Sequence, residues 1–357
     1  MSNLKHITIR GFKSLKNIEH LELKPLNVLI GANGAGKSNL IEVFRIISIM
    51  MKSGGLRGYV GGTASAYFHG GKKNVSRIEV RLELEDYGYD FDLIPTDDDF
   101  LLIENETVRS HDGKVIKRYY SGTFDAQIAN DYSNVAATSL RAAIKDWHIY
   151  HFHDTGRLAD MRCFHFVDDH ESLHEDGGNI AAFLRKLSWK KKDAYERIRQ
   201  TVQLFFPFFE DFVLQVEGDD NIRLNWRQKG FSDAIMRPYQ LSDGAIRFIC
   251  LATALLHPQT HATIILDEPE LGLHPEAVHI LAELIKAAAT DNQVIVATQS
   301  AFLLDQFSLE DIIIVKRREG ATSFSRLNEQ DFRHWLEDYT LGELWVKNVI
   351  EGGSSHE

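Results

Sequence analysis

Two periods of apolar residues run along the chain, and each marks a different kind of element. The blocks Leu26-Asn27-Val28-Leu29-Ile30 and Thr263-Ile264-Ile265-Leu266 are of strand length and almost wholly apolar, the pattern of strands buried on both faces. Gln293 to Ala297 and Asp311 to Lys316 read as two further strands. Arg77-Ile78-Glu79-Val80-Arg81-Leu82-Glu83-Leu84 alternates strictly instead, as a strand with one wet face does, and lies among the turns Gly54-Gly55, Gly61-Gly62, Gly70-Gly71 and Asp97-Asp98-Asp99. Helical spacing governs Asn39 to Ile49, Asn179 to Leu187, Asp193 to Phe206, Ile246 to Leu256 and Pro275 to Thr290, while Phe212 to Trp226 reads as a hairpin. Strand and helix alternation predicts an α/β fold with a mainly parallel sheet, joined to an antiparallel β lobe and a mostly helical insert. The division expected is 1–146 for an N-terminal lobe, 147–238 for the insert, 239–350 for a C-terminal lobe and 351–357 for a tail.

Chemistry enters where the first buried block ends. Gly31-Ala32-Asn33-Gly34-Ala35-Gly36-Lys37-Ser38 fits G-x-x-x-x-G-K-[ST], with a strand before it and a helix after it from Asn39. Glycines let the backbone curl until successive N–H groups face phosphate oxygens, and the helix N-terminus adds positive potential. Lys37 is then expected to reach the β/γ-phosphates of ATP, and Ser38 to place its hydroxyl on Mg²⁺. The second buried block ends in Asp267-Glu268, two carboxylates at a strand end. Asp267 is the candidate for holding Mg²⁺ and Glu268 for polarising the attacking water. Leu241-Ser242-Asp243-Gly244-Ala245 precedes an apolar helix that Ser242 can cap, stopped by His257-Pro258.

The order of these pieces resembles the ATP-binding-cassette ATPases, and within them the RecF/SMC-like branch of compact bacterial AAA-family ATPases of DNA repair and anti-phage defence. Ile9-Arg10-Gly11-Phe12-Lys13-Ser14-Leu15-Lys16 is similar to the opening strand and turn of such heads. Leu241 to Ala245 is similar to the signature, Glu270-Leu271-Gly272-Leu273-His274-Pro275 to the loop that couples two heads, and Val294 to Ser300 to the switch strand. The resemblance implies that Lys13, Ser14, Asn33, Gly34, Ala35, Gly36, Lys37, Ser38 and Asn39 hold nucleotide. It further implies that Ser242 and Gly244 face the phosphate of a second copy, and that Gln299 acts beside Glu268 and Lys37 in hydrolysis. Two departures are visible. Asp243 and Ala245 stand where the commonest signature has Gly and Gln, and Gln299 stands where a His is usual; glutamine donates a hydrogen bond but carries no charge, which implies slow turnover. The usual glutamine beside Mg²⁺ has no counterpart by spacing, and Tyr150-His151-Phe152-His153-Asp154 is the candidate replacement.

The resemblance thus implies an ATP-hydrolysing switch that forms a homodimer head to head on ATP and acts in DNA maintenance or defence with a separate nuclease or other effector protein. The alternatives are an ATP-binding DNA-binding or scaffold module with weak catalysis, and a transporter ATPase, against which the Gly11-Phe12-Lys13-Ser14 element and the large insert speak. No sustained heptads support a long coiled coil, and after Gln299 there are too few residues for an appended nuclease domain.

Composition narrows the picture only slightly. The 357 residues are 44% hydrophobic and 25% charged, with no apolar run long enough to span a bilayer, no signal-like start and two cysteines, Cys163 and Cys250; a cytoplasmic chain with no membrane contact is expected. A net charge of −11 gives no global pull toward nucleic acid. The local cluster Arg185, Lys186, Lys190, Lys191, Lys192, Arg197 and Arg199, with Trp189 and Tyr195 between, is the candidate for DNA contact. Cys163, His165, His170 and His174, with His148, His151 and His153, match no standard zinc spacing.

Overall fold

The computed structural model describes residues 3–350 apart from 53–54, 121, 232, 259–261 and 333. The expected tail 351–357 and Gly54 of the first expected turn lie outside the described residues.

Two six-stranded sheets carry the fold. In the first, the order is Ala321–Arg326, Ile312–Arg318, Leu26–Ile30, Gln293–Thr298, Thr263–Asp267, Trp147–Tyr150. All neighbours in it run parallel except the hairpin Ile312–Arg318 with Ala321–Arg326. The second sheet is antiparallel throughout, in the order Leu15–Glu22, Leu4–Phe12, Ile78–Leu84, Tyr87–Pro95, Leu101–Ser110, Val115–Arg118.

The near-continuous apolar strands have a direct cause. Along Leu26–Ile30, Val28 and Ile30 enter one hydrophobic core while Leu29 enters another. Ile264 and Leu266 likewise face away from Ile265, and Val294 and Val296 away from Ile295 and Ala297. A sheet covered on both faces demands apolar residues at odd and even positions alike. One cover is the helix Lys37–Met50, whose Leu40, Val43, Phe44 and Ile47 are sandwiched between the parallel sheet and the antiparallel lobe. The other is built from the helices Asp243–Leu256 and Pro275–Ala288. Against these pack Ile180–Lys190 and Lys192–Phe205, the latter through Phe205 tilted against Phe248 with ring centroids 4.6 Å apart.

The stretch 147–238 is helical over these two segments and closes with the strands Phe209–Val213 and Asn225–Gln228 paired antiparallel. Its first residues behave differently: Trp147–Tyr150 is the edge strand of the parallel sheet, paired with Thr263 to Leu266. The residues that follow it are thereby delivered to the end of the acidic strand.

Candidate nucleotide-binding site

The glycine-rich loop leaves an interior strand of the parallel sheet at its C-terminal end, the end at which open α/β sheets bind ligands. Gly34 and Gly36 take left-handed backbone conformations, φ +76° and +114°. At Gly36 the requirement is also steric, because a Cβ there would collide with the Thr322 hydroxyl. Lys37 is buried and donates from Nζ to the carbonyls of Gly31 at 2.6 Å and Ala32 at 3.3 Å, so its charge is held inside the loop's own curl. Burial pushes the amine pKa down, and Glu268, Asp267 and Glu270 oppose that shift. Asn33, Gly34 and Ser38 are exposed around it.

Beneath the loop lies a small polar knot. The buried Ser14 hydroxyl accepts from Asn39 Nδ2 at 2.6 Å and lies 2.7 Å from Thr322 Oγ1, whose one proton goes to the carbonyl of Ala35 at 2.8 Å, so Ser14 donates to Thr322. Ser14 and Asn39 therefore direct their polar atoms at each other under the loop, where they fix its shape. Lys13 stands at φ +44°, its N–H bonded to the carbonyl of Tyr67 at 2.7 Å and its Nζ over the Tyr67 ring at 4.8 Å. Arg317 adds a bond from Nη1 to the carbonyl of Gly34 at 3.3 Å. Neither Thr322 nor Arg317 carried any signal in the sequence, since neither belongs to a contiguous motif.

The two strands beyond supply the acids and the switch residue. Asp267 is buried at its strand end, with Oδ2 3.4 Å from His151 Nδ1. The ring nitrogen His153 Nε2 lies 3.0 Å from the main-chain oxygen of Asp267; a carbonyl only accepts, so Nε2 carries the proton. The His151 and His153 rings face each other at 3.7 Å. Burial and the neighbouring His151 hold His153 below the ordinary histidine range. Glu268 is at φ +43°, a conformation that a non-glycine residue rarely keeps without constraint from its surroundings. Its N–H is tied to the carbonyl of Ala297 at 2.8 Å, and its Oε1 accepts from Gln299 Nε2 at 3.0 Å. Deeper still, Glu270 accepts from Thr298 Oγ1 at 2.5 Å, and burial raises its pKa.

The Asp243–Leu256 helix closes the arrangement. Ser242 is exposed and caps it, accepting from the N–H of Ala245 at 3.1 Å. Gly244 has no room for a side chain, since a Cβ would sit 2.9 Å from the carbonyl of Gly272. Asp243, which departs from the commonest signature, accepts from Arg162 Nη2 at 2.8 Å, while Arg162 Nη1 holds the carbonyls of Pro238 and Leu241. Arg247 is buried and donates to Phe152 O at 2.7 Å, to His153 O at 3.0 Å and to Leu271 O. One guanidinium thus ties the capped helix to the histidine segment and to the loop after the acids. Sequence reading did not single out Arg162 or Arg247, because their importance lies in carbonyls brought close only by the fold.

These residues fit a magnesium nucleotide. The fold brings Lys37, Ser38, Asp267, Glu268, Gln299 and the His151/His153 segment to the C-terminal ends of neighbouring parallel strands, and a buried ammonium bonded to loop carbonyls is a group that phosphate oxygens can engage. Ser242 and Gly244 belong to the exposed start of a separate helix. Among the described residues no helix is long and apolar enough to cross a membrane.

Comparison with known proteins agrees with this geometry. A family model described as "AAA domain, putative AbiEii toxin, Type IV TA system" matches residues 26–305. The energy-coupling factor transporter ATP-binding protein EcfA2 of Staphylococcus epidermidis is 31% identical over 151 residues, 36% of this chain and 52% of that protein. Its counterpart in Staphylococcus aureus is 27% identical over 159 residues, 38% and 54% of the two chains. The chain thus spans about half the length of the curated relatives it matches. Among solved structures, an Smc head bound to the C-terminal winged-helix domain of ScpA has a TM-score of 0.56 at 17% identity, covering 92% of this chain and 99% of that one. The Smc head with an extended coiled coil from Pyrococcus furiosus, bound to the C-terminal domain of ScpA, has a TM-score of 0.56 at 15% identity, covering 95% and 99%. At such identities the likeness is one of fold. The chain belongs to the AAA-domain family described as putative AbiEii toxin of type IV toxin–antitoxin systems, and it has the fold of an SMC-like, ABC-type P-loop ATPase head.

Proposed function

We propose that the protein is an ATP-binding and ATP-hydrolysing switch that dimerises head to head on ATP and releases on hydrolysis. The observation that carries this reading is the convergence, at one end of one parallel sheet, of a buried lysine in a phosphate loop with a carboxylate pair and a glutamine from the two next strands. Lys37 neutralises phosphate charge, and Ser38 and Asp267 hold Mg²⁺, with His151 against the Asp267 carboxylate. Bound MgATP supplies the phosphoanhydride bond that is cleaved. Gln299 fixes Glu268 by Oε1, which leaves Oε2 to take the proton of an attacking water. Ser242 of a second copy caps the same phosphates, so that nucleotide is held from both sides only in the dimer.

The role in DNA maintenance or defence is supported by the toxin–antitoxin description of the family and by surface charge. Lys190, Lys191, Lys192 and Arg197 are exposed beside the exposed Trp189, a surface able to follow a phosphate backbone. Arg185 and Lys186 are engaged instead with the carbonyls of Leu214 and His170, and Arg199 with Glu196. A separate effector protein completes this proposal. A second reading, an ATP-binding scaffold with negligible turnover, is favoured by the neutral Gln299. Turnover of ATP by the purified chain, with and without duplex DNA, beside Glu268→Gln separates the two: turnover that the substitution abolishes supports the switch, and absence of turnover with ATP binding retained supports the scaffold.

A further inference from the structure

Three neighbouring strands of the antiparallel lobe bring two histidines and a glutamate together on its solvent face. His6 lies on Leu4–Phe12, His20 on Leu15–Glu22 and Glu83 on Ile78–Leu84. The nearest ring nitrogens, His6 Nδ1 and His20 Nδ1, are 3.4 and 3.6 Å from the same carboxylate oxygen, Glu83 Oε2, and one ligand atom from each residue lies within 4.8 Å of the others. The sheet reaches this arrangement through a bulge. Thr8 alone faces both Glu19 and His20, because Ile7 pairs with Leu21 and Ile9 with Ile18. The extra residue keeps Ile18 and Leu21 in the core while turning two successive side chains outward. Glu19 meets Arg10, and His20, held at φ +50° with its N–H on Thr8 Oγ1 at 3.0 Å, meets His6.

Ordinary contacts account poorly for this geometry. Distances of 3.4 and 3.6 Å are long for hydrogen bonds to a carboxylate. The imidazoles lie face to face, centroids 3.7 Å apart and planes 13° off parallel, an arrangement that aromatic quadrupoles disfavour and that double protonation would worsen by like-charge repulsion. Neutral rings with the proton on Nε2 instead leave two Nδ1 lone pairs free beside one carboxylate oxygen, all within 4.8 Å of one another.

We propose that His6, His20 and Glu83 form a binding site for a divalent transition-metal ion of the Zn²⁺ class. Two imidazoles and one carboxylate are borderline ligands that suit Zn²⁺ over Mg²⁺ or Ca²⁺, and the partial exposure of all three leaves a coordination position for water. The ion staples the edge strand Leu15–Glu22 to the next two strands of the sheet, so it acts as a ligand of the folded state and raises the melting temperature.

The test uses the untagged full chain, freed of metal with chelator and kept free of nucleotide, titrated with Zn²⁺ by calorimetry and by thermal melting. One equivalent bound to these three residues, with a rise in Tm, is the expected result. His20→Asn, whose side chain tolerates the positive φ, and Glu83→Gln should each weaken binding at least about tenfold and remove the Tm rise, while ATP binding stays at the parental level and reports a folded chain. Failure of the parental chain to bind Zn²⁺, or equal binding by both variants, overturns the proposal.

Discussion

Lys37 is the residue on which the site depends most directly. Its ammonium is the buried positive charge inside the phosphate loop, so Lys37→Ala is expected to abolish ATP binding; calorimetry that shows parental affinity would place the nucleotide elsewhere. Thr322 tests the loop's support instead. Thr322→Val keeps the shape but leaves the Ser14 hydroxyl and the Ala35 carbonyl short of a buried partner, which costs about 1–3 kcal/mol and should lower both Tm and ATP affinity. Glu268→Gln should bind ATP yet hydrolyse it about 10²–10⁴ more slowly, and accumulate as an ATP-bound dimer visible by mass in solution. Parental turnover in that variant would move catalysis to another group, with the His151/His153 pair first in line. The glycine-rich loop and the acid pair were legible in the sequence because each is a contiguous run that one strand end carries as a unit. Thr322, Arg247 and Arg162 were not, because each acts on main-chain carbonyls from distant parts of the chain.

At the scale of elements, the apolar runs marked the parallel strands closely, since a strand buried on both faces tolerates few polar residues. Trp147–Tyr150 escaped as a sheet strand: it is four residues long, contains His148 and is paired on one side only. The helix Asp243–Leu256 offers the sharpest test of the dimer. Ser242 caps that helix in its own chain, so Ser242→Arg would lose about 1 kcal/mol of stability along with any contact to a neighbour's phosphate. Ser242→Asp separates the two roles. Aspartate caps as well as serine does, but its charge repels phosphate, so the melting temperature should hold while ATP-dependent dimerisation fails in a Glu268→Gln background. A double variant that dimerises as fully as Glu268→Gln alone would count against the head-to-head arrangement.

For the whole molecule, the core behind the signature helix sets an acid limit on stability. His257 ends that helix, partly buried and edge-on against Phe183, with Nδ1 3.0 Å from the carbonyl of Thr253; the carbonyl accepts, so Nδ1 bears the proton of a neutral ring. Burial pulls its pKa down to about 4, and His148 nearby is lowered for the same reason. The unfolded chain takes up protons near the ordinary histidine value while the folded chain refuses them, so stability is full above about pH 6.5 and declines as pH falls toward 4. Urea unfolding at pH 5 should show about 2 kcal/mol less stability than at pH 7 from His257 alone, a difference that His257→Phe reduces. Equal stability at the two pH values would rule this out. The long reach of the fold also fixes when the protein becomes competent during its synthesis. The phosphate loop emerges early, but the hairpin Ile312–Arg318 and Ala321–Arg326 that flanks its strand is made late, and the hydroxyl of Thr322 returns across 308 positions to Ser14. A nascent chain on the ribosome therefore has its phosphate loop without this buttress until nearly all of it has been translated, and on the proposed reading products that stall before Thr322 should hold ATP more weakly than the full chain.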